Sequence, residues 1–168
     1  EEIRLVAQAA GSMQNMVEEA LQVLQEHSAE GVSYAFTVGE MMTILEKRLA
    51  PLAESKGVSL RVLGKGYEAS MDNLKANLLV LALFNLGQNA IEATPEEGQV
   101  ELDCKLGDDG RVALRVRDEG PGLPEDVAEN PFAPRTSRKE GGTGVGLSIS
   151  QQLAERAGAE LSLESNDT

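Results

Sequence analysis

Asn85-Leu-Gly-Gln-Asn89-Ala, Asp118-Glu-Gly-Pro-Gly122 and Gly141-Gly-Thr-Gly-Val-Gly146 follow one another in a chain of 168 residues. The first segment places two amide side chains on a helical pattern. The second places an acid beside a flexible loop, and the third is a glycine-rich loop that opens a helix. Each alone is a weak signal, but together they suit a purine base, a metal ion and a triphosphate. These three segments therefore decide the expected fold and the expected chemistry.

The composition permits one ordinary domain with a short additional element. Hydrophobic residues make up 41% of the chain and aromatic residues only 3%, so aliphatic side chains must fill the core. The net charge of −13 argues against a nucleic-acid or anionic membrane surface. A bound anionic nucleotide would need a local basic patch, which Arg135, Arg138 and Lys139 provide.

The compartment is also indicated by the sequence. Cys104 is the single cysteine, which excludes an internal disulfide and fits a reducing cytoplasm. Its strand-like surroundings indicate a small core residue. No apolar run approaches the roughly 20 residues that a membrane span needs. Because the chain starts inside a helical pattern, we expect a cytoplasmic fragment of a longer protein, one that a separate segment can anchor to a membrane.

Residues 1–26 carry a heptad stripe. One helix cannot bury such a stripe alone, so the helix either docks on its own domain or enters a coiled coil or four-helix bundle, which would be dimeric. The narrow, regular seam favours the coiled coil or bundle. We expect a homodimer through 1–27, a linker over 28–36 and a domain over 37–168. The stripe consists of Ile3, Val6, Ala10, Met13, Val17, Ala20 and Leu24.

From residue 37 onward the hydrophobic pattern alternates between helical and strand periods. Thr37 and Glu40 form a capping box, and Pro51 either kinks or ends the helix that follows. Ser70 or Asp72 caps the next helix. The order predicts an α+β fold, a two-layer sandwich in which a mixed sheet carries its helices on one face. The predicted elements are a helix of about 18 residues from 37, a strand over 58–63, a helix from 72 to Pro95, a hairpin of 99–107 and 111–118 about Asp108-Asp109-Gly110, a helix over 144–157 closed by Gly158, and a strand over 159–164.

Asn85 and Asn89 are four residues apart and so share one helix face. Asparagine is mildly unfavourable inside a helix. Two asparagines in an apolar helix therefore indicate either a functional role, such as ligand binding, or amides that simply face solvent. An asparagine oxygen is a neutral, hard ligand. It suits Mg²⁺ that is held mainly by substrate phosphates and water.

Asp118 ends a strand, where its carboxylate can accept a hydrogen bond from an exocyclic amine such as the N6 group of adenine. Gly120 and Gly122 allow the backbone to pass close to a flat base. The same Asp-x-Gly-x-Gly pattern is also that of an ordinary turn, so both interpretations stay open at this point.

The glycine-rich loop over 141–146 precedes a helical pattern. Its backbone N–H groups and the helix dipole favour phosphate. It is not a P-loop, because no lysine follows the last glycine. It is not a dinucleotide fingerprint, because it follows a loop rather than a strand.

In their order and spacing these segments resemble the catalytic ATP-binding domain of two-component sensor histidine kinases, members of the GHKL superfamily with its Bergerat fold. The resemblance covers about residues 37–165, and residues 1–26 resemble the second helix of the dimerisation and phosphotransfer hairpin. The Ile-Glu-Ala ending of the first segment resembles the nitrogen-regulation type. Residues 85–93 resemble the N box, 118–122 the first glycine box, 130–132 (Asn-Pro-Phe) the F box and 141–147 the second glycine box.

The resemblance implies an enzyme that binds ATP and Mg²⁺ and transfers the γ-phosphoryl group to a histidine outside this fragment, with a response regulator downstream. It implies that Asn89 contacts Mg²⁺, that Asn85 lies on the phosphate side and that Asp118 reads adenine. It assigns no catalytic residue. Gly142, Gly144 and Gly146 resemble the hinge of the family's lid, a segment that closes over the phosphates. The lid is longer here than usual, so Arg135, Arg138 and Lys139 cannot be aligned with the family one by one. The other nucleotide-binding residues implied are Gly120, Gly122, Lys139, Gly142, Thr143, Gly144, Val145, Gly146 and Leu147.

Two departures from the family pattern bear on activity. His27, the only histidine, is followed by Ser-Ala-Glu-Gly instead of an acid, an aliphatic residue and a proline. We expect it to be an exposed residue at a helix end rather than the phosphoacceptor. The chain also stops at Thr168, where the family usually continues into a final strand.

Other functions on the same fold are an ATP hydrolase, a serine kinase of the anti-sigma type, and an adaptor that has lost nucleotide. The hydrolases place a glutamate where this chain has Asn85, and an amide cannot take a proton from water. The anti-sigma type usually lacks the long heptad helix, and the intact boxes argue against an adaptor. The sequence therefore favours the histidine kinase.

Overall fold

The computed structural model describes residues 35–107, 110–133 and 146–164. The heptad stripe, His27, most of the linker and the tip of the hairpin lie outside these residues. None of the described helices is long and apolar enough to cross a membrane. The described elements are β1 (Ala35–Thr37), α1 (Val38–Lys56), β2 (Ser59–Val62), β3 (Ser70–Asp72), α2 (Asn73–Ala93), β4 (Gln99–Leu106), β5 (Val112–Asp118), α3 (Glu125–Ala128) and α4 (Gly146–Arg156).

The described strands form two sheets. The larger sheet has the order β2-β4-β5, with β2 parallel and β5 antiparallel to β4, which confirms the predicted hairpin. The smaller sheet pairs β1 with β3 in antiparallel fashion. This ribbon was not predicted, and it places Ala35 and Phe36 in a strand rather than in the linker. Strands of three residues are too short to show alternation, which explains the omission.

Alternation along β4 separates an apolar face of the larger sheet from a charged one. Val100, Leu102 and Cys104 belong to the buried cluster that includes residues of α1 and α2. Glu101 points the other way, where it forms ion pairs with Arg61 and Arg117 at 3.3 Å. The predicted placement of the helices on one face of a mixed sheet is therefore confirmed.

Helix α1 begins at the predicted capping box. The Thr37 side chain accepts a hydrogen bond from the Glu40 N–H, and the Thr37 N–H donates to Glu40 Oε2 at 2.8 Å. These bonds from Thr37 lower the pKa of the Glu40 carboxyl. Pro51 does not end the helix, which continues to Lys56. Because Pro51 is exposed, water can reach the carbonyl that its missing N–H leaves without a donor.

Helix α2 is the central element of the fold. Asp72 caps it by accepting from the Lys75 N–H at 3.0 Å, and it ends at Ala93, two residues before Pro95. One side packs against α1 within the main core. The other side packs against α4, where Leu78, Leu81 and Ala82 of α2 meet Leu153 of α4 and Ala157 just beyond it.

Lys56, the last residue of α1, fastens the far end of α2. Its Nζ donates to the carbonyl of Ile91 at 2.8 Å and to the carbonyl of Glu92. A cation is favourable at this position because the carbonyls at the end of a helix carry partial negative charge and have no partner in the helix.

Residues 159–164 do not form the predicted last strand. Glu164 binds Arg115 of β5 at 3.0 Å, so the segment reaches β5 through a side chain. No backbone hydrogen bond joins 160–164 to β5 within the described part of the chain. Leu163 is 41% exposed. The alternating pattern was correct as a period, but a strand also needs a paired backbone and a buried face.

A close contact between Gly64 and Cys104 connects the end of β2 to β4. Cys104 is 3% exposed, and its Sγ lies 3.7 Å from the Gly64 carbonyl oxygen. Burial, with the nearby charge of Asp103, raises the pKa of the Cys104 thiol. The thiol therefore stays protonated and unreactive, which agrees with the predicted core role.

We expect Gly64→Ala to destabilise the domain by about 2–4 kcal/mol in chemical denaturation, because two costs add. Gly64 has φ +80°, and an added Cβ would lie 2.1 Å from Cys104 Sγ. Gly66→Ala is the matched control, since an added Cβ there meets nothing within 4 Å. Adding Cys104→Ala to Gly64→Ala should relieve the contact but not the φ cost. A Gly64→Ala variant as stable as Gly66→Ala would contradict the described packing.

Candidate nucleotide-binding site

The C-terminal half of α2 contacts both glycine-containing segments that the sequence singled out. Near its middle, Asn85 and Asn89 lie against Gly146, the first residue of α4. At its end, Ala93 lies against Gly120 in the loop after β5. Eight residues of helix separate Asn85 from Ala93, about 12 Å. The fold thus places the amide pair, the glycine that begins α4 and the Asp118 loop along one helix.

Asn85 is 7% exposed and is fully engaged as a donor. Its Nδ2 donates to the Gly146 carbonyl oxygen at 3.0 Å and to Ser150 Oγ at 2.7 Å. The amide nitrogen therefore joins α2 to the first turn of α4. An exposed amide, one of the two interpretations that the sequence left open, does not describe Asn85.

Asn89, one turn further along α2, is half-buried, and the structure assigns its amide no hydrogen bond within the described residues. A Cβ added to Gly146 would lie 3.6 Å from Asn89 Nδ2. The Asn89 amide is thus next to the start of α4 and available to a ligand. A neutral amide oxygen in this position fits a metal that is bound mainly through phosphate oxygens.

The described residues contain no group of three or more His, Cys, Asp or Glu side chains that could hold a metal ion.

Asp118 ends β5 on the helix-facing side of the larger sheet, opposite Val100 in the register. Its Oδ1 accepts from the Gly120 N–H at 2.9 Å, which is the ordinary turn that the pattern also suggested. The second carboxylate oxygen keeps its capacity to accept. Asp118 is exposed, so a ligand can reach it. Both interpretations of Asp-x-Gly-x-Gly can therefore hold at once.

Gly120 and Gly122 are required by the loop for different reasons. A Cβ on Gly120 would lie 2.6 Å from Asp118 Oδ1 and 3.1 Å from the Cβ of Ala93. Gly122 has φ +71°, a left-handed conformation that glycine adopts at little cost. These glycines allow the loop to approach the end of α2.

The other predicted site residues are only partly covered by the structure. Leu147 is half-buried in the first turn of α4, and Phe132 of the F-box-like segment is half-buried in the loop after α3. The rest of the predicted set, Lys139, Gly142, Thr143, Gly144 and Val145, lies outside the described residues, together with Arg135 and Arg138.

Two neighbours of the site were missed by the sequence analysis. Ser150 is 0% exposed and binds the Asn85 amide, and Lys56 holds the end of α2. Ser150 did carry a signal, because it lies four residues after Gly146 and so on the same helix face. Lys56 carried none, since its partners are backbone carbonyls far away in sequence.

Comparison with known proteins places this arrangement in a family. The family model for histidine kinase-, DNA gyrase B- and HSP90-like ATPases matches residues 74–168, more than half of the chain. The chain belongs to this family. The recognition made from the N box and the two glycine boxes is thereby confirmed.

Relatives within this ATPase family are sensor kinases. The C4-dicarboxylate transport sensor protein DctB of Rhizobium meliloti is 41% identical over 85 residues, which cover 49% of this chain and 14% of DctB. Sensor histidine kinase ZraS of Salmonella typhi is 28% identical over 166 residues, covering 96% of this chain and 34% of ZraS. The match therefore spans about a third of the length of ZraS and about a seventh of the length of DctB.

A solved structure agrees with the fold. The nucleotide-free catalytic domain of histidine kinase ThkA superposes with a TM-score of 0.63 at 25% identity, over 75% of this chain and 82% of that one. This similarity confirms the predicted α+β class, a mixed sheet with helices on one face.

We expect Gly120→Ala to lower ADP affinity in isothermal titration by about tenfold or more, because Asp118 or Ala93 must move to admit the methyl group. Gly120 is half-buried against Ala93, so some loss of thermal stability should accompany the change, and affinity is compared at a temperature where both variants are folded. Gly66→Ala should leave ADP affinity unchanged. Equal ADP affinity in the two variants would remove Gly120 from the nucleotide site.

Proposed function

We propose that this chain is the ATP-binding kinase core of a two-component sensor histidine kinase. It would bind ATP with Mg²⁺ and transfer the γ-phosphoryl group to a histidine outside residues 1–168. The observation that carries the proposal is the convergence of Asn85, Asn89, Gly146 and the Asp118 loop along α2, in a chain of this ATPase family. The sensor kinases among its relatives support the same activity.

The proposed roles divide along α2. At the Ala93 end, the free oxygen of Asp118 would accept a hydrogen bond from the adenine amine while Gly120 admits the flat base. At the Gly146 end, Asn85 and Asn89 would face the phosphates and their metal. Mg²⁺, when bound, would neutralise phosphate charge during transfer. The backbone N–H groups at the start of α4 suit phosphate oxygens, which the helix dipole also favours.

Transfer to a side chain is favoured over transfer to water by the residue at position 85. An amide has no basic lone pair, and both donors of Asn85 are already used by α4. Water activation would therefore lack its base at this position. Phosphoryl transfer needs mainly positioning, which the described residues are suited to supply, and charge neutralisation, which bound Mg²⁺ would supply.

The partners of the whole protein follow from the same proposal. Residues 1–27 would dimerise as the second helix of a phosphotransfer hairpin, whose first helix would carry the phosphoacceptor histidine. A response regulator would receive the phosphoryl group from that histidine. The described domain would work in the cytoplasm, where ATP is available.

The base pocket is tested by Asp118→Asn. Asparagine can keep the turn by accepting from the Gly120 N–H, but it then turns an amide N–H toward the adenine amine. Losing a charge-assisted bond and facing two donors should cost about 2–4 kcal/mol, or roughly 30- to 1,000-fold in ATP affinity. The parent protein should bind GTP poorly, because the guanine carbonyl would meet the same carboxylate. Tight GTP binding, or normal ATP binding by Asp118→Asn, would refute this role.

The kinase activity is tested with radioactive ATP and Mg²⁺. This chain alone should not label itself, because His27 lacks the expected flanking residues, yet it should label a separately supplied phosphoacceptor helix of its own parent protein. The label should be acid-labile and base-stable, as a phosphoramidate is. Self-labelling that is lost in His27→Ala would instead make His27 the acceptor. Acid-stable, base-labile label on an added protein would support the serine kinase.

A further inference from the structure

A short chain of hydrogen bonds behind the site runs through Ser150. Ser150 Oγ accepts from Asn85 Nδ2 at 2.7 Å and lies 3.5 Å from the Ala82 carbonyl oxygen. Asn85 Nδ2 also donates to the Gly146 carbonyl oxygen at 3.0 Å. Ser150 is 0% exposed, so no solvent competes for its hydroxyl. Ser150 thus stands between the backbone of α2 and the amide of Asn85.

The chemistry of the partners fixes which way the Asn85 amide points. A backbone carbonyl can only accept, so the atom 3.0 Å from the Gly146 oxygen must be the nitrogen. The hydroxyl hydrogen of Ser150 is directed to Ala82, which leaves the Ser150 oxygen to accept the second N–H. Both hydrogens of the amide are then used, and among the residues that the structure describes no donor reaches Asn85 Oδ1.

That oxygen lies beside Gly146 and close to the Asn89 amide. A Cβ added to Gly146 would be 3.3 Å from both Asn85 Oδ1 and Asn85 Nδ2 and 3.6 Å from Asn89 Nδ2, so the two amides converge on the first residue of α4. The nitrogen is held by Gly146 and Ser150, which leaves the oxygen as the group that Asn85 can offer there. A carbonyl oxygen repels a phosphate oxygen but accepts from a donor or a cation. In a Mg-nucleotide the suitable partner is the metal ion or one of its water molecules.

We propose that Ser150 is a positioning residue that holds Asn85 with its oxygen toward the metal side of the nucleotide site. The inference rests on the proposed binding of a Mg-nucleotide. Asparagine χ2 has a broad, roughly two-fold preference, so rotamer energy alone does not hold the amide. Without the Ser150 oxygen, one buried N–H loses its acceptor, and the amide can turn to find another.

The test compares Ser150→Ala and Ser150→Cys with the parent protein. Cysteine keeps most of the volume but accepts poorly, so it separates the hydrogen bond from packing. Thr43→Ala is the control, because it removes a hydroxyl that donates to the Gly39 carbonyl in α1, away from the site. ADP affinity is measured by titration with Mg²⁺ and with EDTA, and the Asn85 side-chain amide is followed by NMR without nucleotide.

In both Ser150 variants we expect the gain in ADP affinity from Mg²⁺ to fall about 3- to 10-fold, while Mg-free affinity stays within about twofold of the parent. Faster hydrogen exchange and shifted resonances of the Asn85 amide should accompany this change, and Thr43→Ala should show neither. An unchanged Mg²⁺ effect, or an equal loss with and without Mg²⁺, would overturn the inference. If Ser150→Ala does not fold, Ser150→Cys decides.

The two proposals fail in different ways. A parent protein that binds no ADP would refute the proposed function. The NMR measurement needs no nucleotide, so it still decides whether Ser150 holds Asn85. Unchanged Asn85 resonances and exchange in Ser150→Cys would overturn the positioning role even in a protein that binds ADP as proposed.

Discussion

A buried amide must satisfy its hydrogen-bonding groups, and at Asn85 this requirement organises the site. Asn85 is almost fully enclosed where α2 meets α4, and its two donors are met by Gly146 and Ser150. Leaving either donor unmet in such a position would cost about 1–3 kcal/mol. The start of α4 is therefore placed relative to α2 by polar chemistry, while Leu78, Leu81 and Leu153 supply the apolar contact beside it.

The rest of the fold keeps α2 in position to do this. The apolar face of β4 packs against α2 in the main core, and the Gly64–Cys104 contact holds the end of β2 close to β4. Lys56 neutralises the carbonyl end of α2 just before the chain turns at Pro95. Two contacts thus fix α2 along the site, one at Asn85 and one at the carbonyls of Ile91 and Glu92. A ligand that lies along this half of the helix meets groups whose spacing the fold determines.

Features with local causes could be predicted from the sequence. The capping box at Thr37, the Asp72 cap, the hairpin and the shared face of Asn85 and Asn89 depend on residues a few positions apart, and all are present. Features that depend on distant partners could not. The β1–β3 ribbon needs two three-residue strands to meet, Ser150 gains its role only when α4 packs on α2, and 159–164 has the strand period without a paired backbone.

Asn85 and Asp118 each serve both the fold and the proposed chemistry. Each uses part of its hydrogen-bonding capacity within the protein, Asn85 through its nitrogen and Asp118 through Oδ1. What remains on each is an acceptor oxygen. One acceptor near the start of α4 suits a cation or its water, and the other near the end of α2 suits an exocyclic amine. In the proposed site, the fold thus selects which half of each side chain would face a nucleotide, and this selection would give the two ends of the site different chemistry from two similar oxygens.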